Sequence, residues 1–392
     1  MGIAMKRIGF LGAYSIDNAG DVLVGYATRQ AVSALLPGCA QSVYAPDFPE
    51  AFWRHGWDRA RGIDAEIAAV PPGEAMAWAA ELDALIIGGG GIVSVEPSFR
   101  PFLLGAPGQF PRGVRAAWNG VCSQNQPAYL AGCAEDYQVV RACCERLSYV
   151  SVRNRSTLRF VRGCGFAGEI NIIPDPALLL DSERHPEHGS DQAAIDALLI
   201  ESGVDPNRLL IGVSVGEALR DGRTAAFYDD LFAALGRLRA EREVPCEVLF
   251  FPFGAVYGEA ELQAEAARRV PGARVLARPL DPLGLWRLIG RLGVHVCTRY
   301  HAMLSAFAQN VPFLVLDQYL SDAVATSKIR EFIADGGLEA FYLCPFLSLR
   351  PAWKLDGLFY GRAQVSFRPG IADCQRRLRE HYRRMLTHLN LI

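Results

Sequence analysis

Arg299 and His301 lie two residues apart, directly after an apolar run at residues 293–297 that predicts a buried strand. Residues 302–308 predict a helix, so both side chains fall at a strand-to-helix junction. The first turn of a helix attracts anions, because its backbone N–H groups are unpaired and its dipole is positive there. A permanent cation beside a titratable imidazole suits an anionic substrate that undergoes proton transfer. We therefore predict a functional role for this pair, against the alternative of a structural histidine.

Three other loops after predicted strands have unusual sequences. The run Ser151-Val152-Arg153-Asn154-Arg155-Ser156 places Arg153 at the end of a strand, where it could bind a carboxylate or phosphate bidentately or be an ordinary surface arginine. Four glycines at residues 88–91 could form an anion nest or a tight turn, and they match neither nucleotide-binding fingerprint. Asn18-Ala19-Gly20-Asp21 could approach a ligand closely or only cap a helix.

These loops must be positioned by parallel sheets. The sequence predicts two such sheets, one in each half of the chain. Apolar strands alternate with helical stretches in both halves of the chain, which indicates doubly wound, Rossmann-like α/β domains. A polar, turn-rich stretch at residues 181–207 separates the halves. We predict an N-terminal domain at residues 1–185 and a C-terminal domain at 186–345, facing a cleft. A tail at 346–392 ends in a helix that packs back on the domains.

The predicted last helix, residues 374–391, is amphipathic. Leu378, Tyr382, Met385 and Leu389 recur at helical spacing. The other face carries five arginines, at positions 376, 377, 379, 383 and 384. A solvated face is the simpler interpretation, and peripheral contact with anionic lipid at the inner face of a membrane is the alternative.

Composition narrows the class of protein. The chain has 392 residues, of which 51% are hydrophobic, and this length predicts about two domains with their own cores. Forty basic against 42 acidic residues give a formal charge of −2, which excludes a broad basic surface for nucleic acid. Ten cysteines without C-x-x-C spacing do not support a zinc or redox pair, and reduced thiols together with the absence of a signal-peptide pattern predict a cytoplasmic protein.

Taken together, these stretches resemble the polysaccharide pyruvyl transferase family. The strongest match is Thr298-Arg299-Tyr300-His301-Ala302-Met303, where the family typically has leucine in place of Tyr300. Pro174-Asp175-Pro176, Val248-Leu249-Phe250-Phe251-Pro252 and Lys328 extend the resemblance, although Phe253-Gly254 stands where the family often has a polar residue or histidine.

The resemblance implies a GT-B-like fold, phosphoenolpyruvate as the donor, and a sugar, glycan or lipid-linked saccharide as the acceptor. The product is a pyruvate ketal on two hydroxyls of one sugar, and phosphate is released. No metal and no cofactor besides the co-substrate is expected.

Each candidate residue takes a role in this scheme. Arg153, Arg299 and Lys328 would bind phosphoenolpyruvate. His301 would be the general acid, or would stabilise the departing phosphate, and Asp21 the base for an acceptor hydroxyl. Further candidates for substrate contact are Asn18, Gly20, Gly89, Gly90 and Tyr300.

Two other functions fit the same pattern. The first is a GT-B-type glycosyltransferase that uses a nucleotide sugar, since fold does not determine function. The second is a non-catalytic glycan-binding protein. In each case acceptor specificity is expected from a loop at residues 99–125, where Phe99, Phe102 and Trp118 could stack on sugar rings or pack within the loop.

Overall fold

The computed structural model describes residues 5–12, 18–44, 75–95, 113–123, 130–181, 192–241, 243–254, 258–320, 327–348 and 350–392. The chain divides into two compact units. Unit 1 comprises Met1–Asp181 together with Ala372–Ile392, and unit 2 comprises Ser182–Ile371. The predicted boundary at 185/186 lies outside the described residues.

Unit 1 is built on a six-stranded parallel sheet. Its strands are β1 (Arg7–Leu11), β2 (Ala40–Tyr44), β3 (Ala84–Gly88), β4 (Arg115–Val121), β5 (Tyr149–Val152) and β6 (Asn171–Ile172). The helices between them are α1 (Ala19–Leu35), α2 (Ala75–Ala80), α3 (Ala134–Arg146) and α4 (Arg155–Gly163). The strand order is β2-β1-β3-β4-β5-β6. Fully buried strands such as β3, Ala-Leu-Ile-Ile-Gly, are continuous apolar runs because helices cover both faces of a parallel sheet.

Unit 2 repeats this plan. Its helices are α5 (Gln192–Glu201), α6 (Ala225–Ala240), α7 (Glu259–Arg268), α8 (Pro282–Gly290), α9 (Tyr300–Ala308), α10 (Lys328–Gly336) and α11 (Pro351–Gly361). Its strands are β7 (Leu209–Ser214), β8 (Cys246–Phe250), β9 (Arg274–Val275), β10 (Val294–Cys297), β11 (Phe313–Leu316) and β12 (Tyr342–Leu343). All are parallel, in the order β12-β11-β10-β7-β8-β9.

Helix α12 (Arg368–His388) is the predicted C-terminal helix, and it begins six residues earlier than predicted. From residue 372 onward it belongs to unit 1. The four predicted apolar residues, Leu378, Tyr382, Met385 and Leu389, are all buried. Burying a large apolar side chain contributes about 1.5–3 kcal/mol, so this face accounts for the docking of the helix on unit 1.

A fully buried polar network also holds α12 on the sheet of unit 1. Asn119 on β4 donates from Nδ2 to the hydroxyl of Tyr382 at 3.0 Å, and its Oδ1 lies 2.9 Å from Nε2 of His381. The hydroxyl of Tyr149 lies 3.1 Å from the other ring nitrogen of His381. Burial, helped by the charge of Arg384, lowers the pKa of His381 to about 3, so the ring is neutral at physiological pH.

Within the expected acceptor loop at residues 99–125, most of the described residues, 113–123, belong to a strand. Residues 115–121 form β4 and Trp118 is fully buried in the core of unit 1, so Trp118 does not face a sugar. Phe99 and Phe102 lie outside the described residues.

Candidate functional site

The loop after β10 carries the Arg299–His301 pair. Thr298 anchors this loop, because its backbone N–H donates to the carbonyl of Ser214 at the end of β7, at 3.0 Å. Arg299 is the N-cap residue of α9, with extended backbone angles, and Tyr300 and His301 form the first turn of that helix. Both residues therefore lie at the carboxyl end of the parallel sheet, beside a helix N-terminus.

The guanidinium of Arg299 is held on two sides. Its Nε donates to Oε1 of Glu259 at 2.5 Å, and its Nη1 donates to the hydroxyl of Tyr319 at 3.1 Å. Burial alone would lower the pKa of Arg299, but Tyr319 and the Glu259 carboxylate raise it above its ordinary value. Arg299 is therefore a fixed cation whose orientation is set by two partners.

Glu259 is nearly fully buried as the first residue of α7. Its second oxygen, Oε2, accepts a hydrogen bond from the backbone N–H of Phe253 at 3.0 Å. Phe253 belongs to the loop after β8, so Glu259 joins the ends of β8 and β10 across the intervening β7. Neither Glu259 nor Tyr319 was predicted as a site residue.

Tyr300 connects His301 to Lys328. The rings of Tyr300 and His301 pack edge to face, with centroids 5.1 Å apart. The ammonium of Lys328 lies 5.6 Å from the centroid of the Tyr300 ring, within the range of a cation–π contact. The four residues predicted for unit 2, Arg299, Tyr300, His301 and Lys328, thus form one cluster, which we call the unit 2 cluster.

His295 lies beneath this cluster, on β10. Its ring is fully buried, stacks on Phe251 with centroids 5.5 Å apart, and has Nε2 3.3 Å from Oγ of Ser214. Burial lowers the pKa of His295 to about 3. The ring is therefore a neutral part of the core.

In unit 1, the Asn18–Asp21 loop and the four-glycine loop meet. Asn18 caps α1 by accepting from the N–H of Gly20 at 3.2 Å, and its Nδ2 donates to Oδ2 of Asp21 at 2.8 Å. A Cβ added to Gly90 would lie 2.4 Å from Oδ1 of Asp21. Gly89 and Gly90 both have positive φ, at 84° and 78°. Glycine is thus required at residue 90, both for the backbone angle and for the close approach of the carboxylate.

Arg153 is the second predicted cation, and it forms an ion pair with Asp175 within unit 1. Oδ1 of Asp175 caps a short 3₁₀ helix by accepting from the N–H of Ala177 at 2.9 Å. The Arg153 guanidinium also donates to the sulfur of Cys122 at 2.8 Å, and the Cys122 backbone N–H donates to the carbonyl of Gly90 at 3.2 Å. These contacts link Arg153 to the Gly90–Asp21 pair, and we call these residues the unit 1 cluster.

Each cluster lies at the point of its sheet where the chain reverses the direction in which it adds strands. In unit 1 the chain passes from β1 outward to β2 and then returns to β3 on the other side of β1, and Asp21 and Gly90 follow β1 and β3. In unit 2 the same reversal separates β8 from β10, on either side of β7. Ligands of open α/β sheets bind at such switch points.

A sequence comparison shows the family of the chain. The model of the polysaccharide pyruvyl transferase family matches residues 18–318. The chain belongs to the polysaccharide pyruvyl transferase family. The matched region of this family member contains both clusters except Lys328, which follows it together with Tyr319, the partner of Arg299. No curated protein matches the sequence of this pyruvyl transferase family member.

Solved structures resemble this family member in fold at low identity. S. aureus MnaA in complex with UDP superposes with a TM-score of 0.57 and 12% identity, covering 99% of this chain and 98% of that chain. Anabaena HepE in complex with UDP and glucose gives a TM-score of 0.55 at 12% identity, covering 96% and 99%. UDP-GlcNAc 2-epimerase from Neisseria meningitidis, bound to UDP-GlcNAc, gives 0.52 at 9%, covering 95% and 94%. The predicted fold class, GT-B-like with two Rossmann-like parallel sheets, is confirmed.

In the part of the chain that the structure describes, no three His, Cys, Asp or Glu side chains gather as metal ligands would. Among the helices that the structure describes, none has the length and apolar composition to cross a membrane. All ten cysteines are free, and seven of them are buried.

Proposed function

We propose that this family member transfers the pyruvyl group of phosphoenolpyruvate to two hydroxyls of a sugar or glycan. A proton is added to the methylene carbon of the donor, and one sugar hydroxyl adds to C2. The C–O bond to phosphate then breaks, and a second hydroxyl closes the ketal. The two hydroxyl protons balance the proton added to the methylene carbon and the proton taken up by the departing phosphate, so phosphoenolpyruvate and a diol give the ketal and phosphate without an oxidant.

The unit 2 cluster is the observation that carries this proposal. Phosphoenolpyruvate has a carboxylate and a phosphate on three carbons, so its binding requires two cationic groups at separate points. Arg299, which directly precedes Tyr300, and Lys328, whose ammonium lies 5.6 Å from the centroid of the Tyr300 ring, supply two such groups. The planar fork of Arg299 matches a carboxylate or phosphate, and Lys328 acts as a point charge.

His301 is the candidate for proton transfer. It lies in the first turn of α9, two residues after Arg299, and is almost fully buried. A histidine at this position can donate a proton to the enol carbon or, as imidazolium, stabilise the phosphate as it leaves. General acid catalysis of this kind contributes about 10²–10⁴-fold to a rate.

Unit 1 is assigned to the acceptor in this proposal. Asp21 is fixed by Asn18 and packs against Gly90, which makes it a candidate base for a sugar hydroxyl. Donor binding by Arg153 stays a prediction. Only 3% of its side chain is exposed beside Asp175, against 22% for Arg299 beside Glu259, so we place the main donor contact on Arg299.

The direct test combines turnover and binding. The purified protein is incubated with phosphoenolpyruvate and a panel of oligosaccharide, lipid-linked and nucleotide-sugar acceptors, with and without a chelator. Phosphate release and the mass gain of a pyruvate ketal are followed. We expect both signals on one acceptor class, unaffected by the chelator, and protection from thermal unfolding by phosphoenolpyruvate.

Two histidine-to-alanine variants accompany this test, one in the unit 2 cluster and one at an exposed control position. His301→Ala should reduce turnover by about 10²–10⁴-fold with an unchanged circular dichroism spectrum. His388→Ala, which changes an exposed histidine of unit 1, should keep wild-type turnover. Protection by UDP or a nucleotide sugar, with none by phosphoenolpyruvate, would replace this proposal with a GT-B-type glycosyltransferase. That alternative has support from the UDP found in the structures of MnaA and HepE.

A further inference from the structure

Asp317 is a fully buried carboxylate directly after β11, and neither the predicted chemistry nor the ion pairs of the unit 2 cluster use it. Its backbone N–H donates to the carbonyl of Leu343 on β12 at 2.8 Å, which fixes it at the edge of the sheet. Three donors converge on its side chain: a backbone N–H and two hydroxyls. A buried carboxylate with this many donors is held in one orientation.

The first donor leads to Arg299. Oδ1 of Asp317 accepts from the backbone N–H of Tyr319 at 3.1 Å, closing a tight turn over these residues. The hydroxyl of Tyr319 in turn accepts from Nη1 of Arg299 at 3.1 Å. The turn therefore determines where the Tyr319 ring presents its hydroxyl, and so where the guanidinium rests.

The second donor leads to Lys328. The hydroxyl of Ser327 donates to Oδ2 of Asp317, and its oxygen accepts from the backbone N–H of Arg330 at 3.0 Å. Ser327 is thereby the N-cap of α10, whose first residue is Lys328. Because the carboxylate can only accept, it orients the Ser327 hydroxyl so that the oxygen lone pair faces the helix.

The third donor leads away from the cluster. The hydroxyl of Tyr342, on β12, donates to Oδ2 of Asp317 at 3.1 Å. Tyr342 contacts Asp317 and contributes its backbone to the sheet, but it holds neither Arg299 nor Tyr319 nor Lys328. Removing the Tyr342 hydroxyl therefore offers a control, because it takes one hydrogen bond from Asp317 but leaves the bonds to Tyr319 and Ser327 in place.

We propose that Asp317 is a positioning residue that sets the separation of the two donor-binding cations, Arg299 and Lys328. The inference rests on the proposed function for the identity of the donor, but its geometry stands without it. Asp317 does not touch substrate. It acts through Tyr319 on one cation and through the Ser327 cap on the other, so loss of both carboxylate oxygens would loosen both at once.

Asparagine is the sharpest substitution, because it keeps the shape of the side chain. In Asp317→Asn one oxygen can still accept from Tyr319, but the amide nitrogen then faces the two hydroxyls that formerly donated. Ser327 must accept from that amide with the oxygen that caps α10. We therefore expect the start of α10 to loosen, and with it Lys328.

The experiment compares Asp317→Asn, Ser327→Ala and the control Tyr342→Phe in the full chain. With phosphoenolpyruvate we expect KM to rise about tenfold in the first two variants, which corresponds to the loss of one good interaction, about 1.4 kcal/mol. Their kcat should change by no more than about threefold. Tyr342→Phe should keep the wild-type KM even though its thermal midpoint falls. Ser327→Thr, which keeps the cap, should show a KM close to that of the wild type, in contrast to the raised KM of Ser327→Ala.

A second readout does not depend on the donor. The rate at which an amine-reactive reagent modifies Lys328 is measured peptide by peptide with mass spectrometry. Lys328 should be modified severalfold faster in Asp317→Asn than in the wild type. In Tyr342→Phe it should be modified at the wild-type rate. If Asp317→Asn matches Tyr342→Phe in this rate, Asp317 is only a structural residue and the inference fails. If Lys328 becomes more reactive but no protein in the set binds phosphoenolpyruvate, the proposed function fails and the inference stands.

Discussion

Nε of Arg299 lies 2.5 Å from Oε1 of Glu259, although the two residues follow different strands, β10 and β8, with β7 between them. The carboxylate is nearly fully buried, and the arginine keeps about a fifth of its side chain exposed. An arginine that is paired with a buried carboxylate and keeps part of its side chain exposed is oriented before any anion binds. The carboxylate thus contributes direction as well as charge.

Glu259→Gln should therefore weaken donor binding while the cation remains. Without the carboxylate, the guanidinium keeps only one of its two described anchors, Tyr319, and its orientation broadens. We expect a severalfold higher KM for phosphoenolpyruvate and a loss of about 2 kcal/mol in the free energy of unfolding. Steady-state kinetics and denaturant unfolding measure the two effects. An unchanged kcat/KM would mean that Glu259 has no influence on the donor site.

Gly90→Ala tests the contact between the glycine-rich loop and Asp21. The added Cβ would lie 2.4 Å from Oδ1 of Asp21, so the carboxylate must move, and turnover should fall at least tenfold. Gly38→Ala is the matched control, because Gly38 has nearly the same φ, 76° against 78°, and nothing within 4 Å of the added Cβ. Both variants should lose about 1 kcal/mol of stability from backbone strain. Equal activity in the two variants would remove Asp21 from the mechanism.

The Arg153–Asp175 pair is open to a double-mutant cycle. Removing either partner takes the described ion pair away from a buried charge, so Arg153→Met and Asp175→Asn should each lower the free energy of unfolding by about 3 kcal/mol. The double variant should be less destabilised than the sum, with a coupling of about 1–3 kcal/mol. Calorimetric binding of phosphoenolpyruvate to Arg153→Met tests donor contact by Arg153 separately, with Asp175→Asn, in which Arg153 remains, as the comparison. Unaltered affinity in Arg153→Met would confine Arg153 to a structural role.

His381 predicts how stability depends on pH. Its pKa is lowered by burial to about 3 in the folded protein, against an ordinary value of 6.5. The unfolded chain therefore binds the proton more readily, and this histidine reduces the free energy of unfolding as pH falls below about 6.5. The expected loss is at most about 1.4 kcal/mol per pH unit from this group, continuing towards pH 3. His295 adds the same effect in unit 2.

NMR titration of the histidine rings isolates this effect. The His381 signal should not titrate between pH 7 and pH 5. His381→Gln should flatten the dependence of unit 1 stability on pH. A His381 ring that titrates near 6.5 would contradict the burial argument.

The local pattern of the sequence was sufficient for most elements of the fold. Apolar runs such as residues 84–87 can only be buried strands, and the alternation with helices implies parallel sheets. Strand β4 was not predicted, because Asn119 and Gly120 interrupt its apolar pattern. Asn119 is accommodated in the core by hydrogen bonds to Tyr382 and His381, more than 260 residues away. No local pattern contains that information.

The same limit applies to the site. The residue types after each strand identified Arg299, His301, Arg153 and Asp21, because the carboxyl ends of parallel strands gather at one edge of a sheet. Their partners were missed or were given no role. Glu259 is 40 residues from Arg299, and Asp175 is 22 residues from Arg153. Pairing over such distances depends on which strands are neighbours and on how far each following loop turns back.

By itself the sequence determined the class of fold and the family of the chain, and it located the loops with the candidate site residues, since periodicity and short motifs are local properties. Only the tertiary structure decided that Arg299 is anchored by Glu259 and Tyr319, that Asp317 holds both the Tyr319 turn and the cap beside Lys328, and that Arg153 lies buried against Asp175. The physical reason is burial. A charge removed from water needs a partner, and the partner comes from whichever segment the sheet order brings alongside.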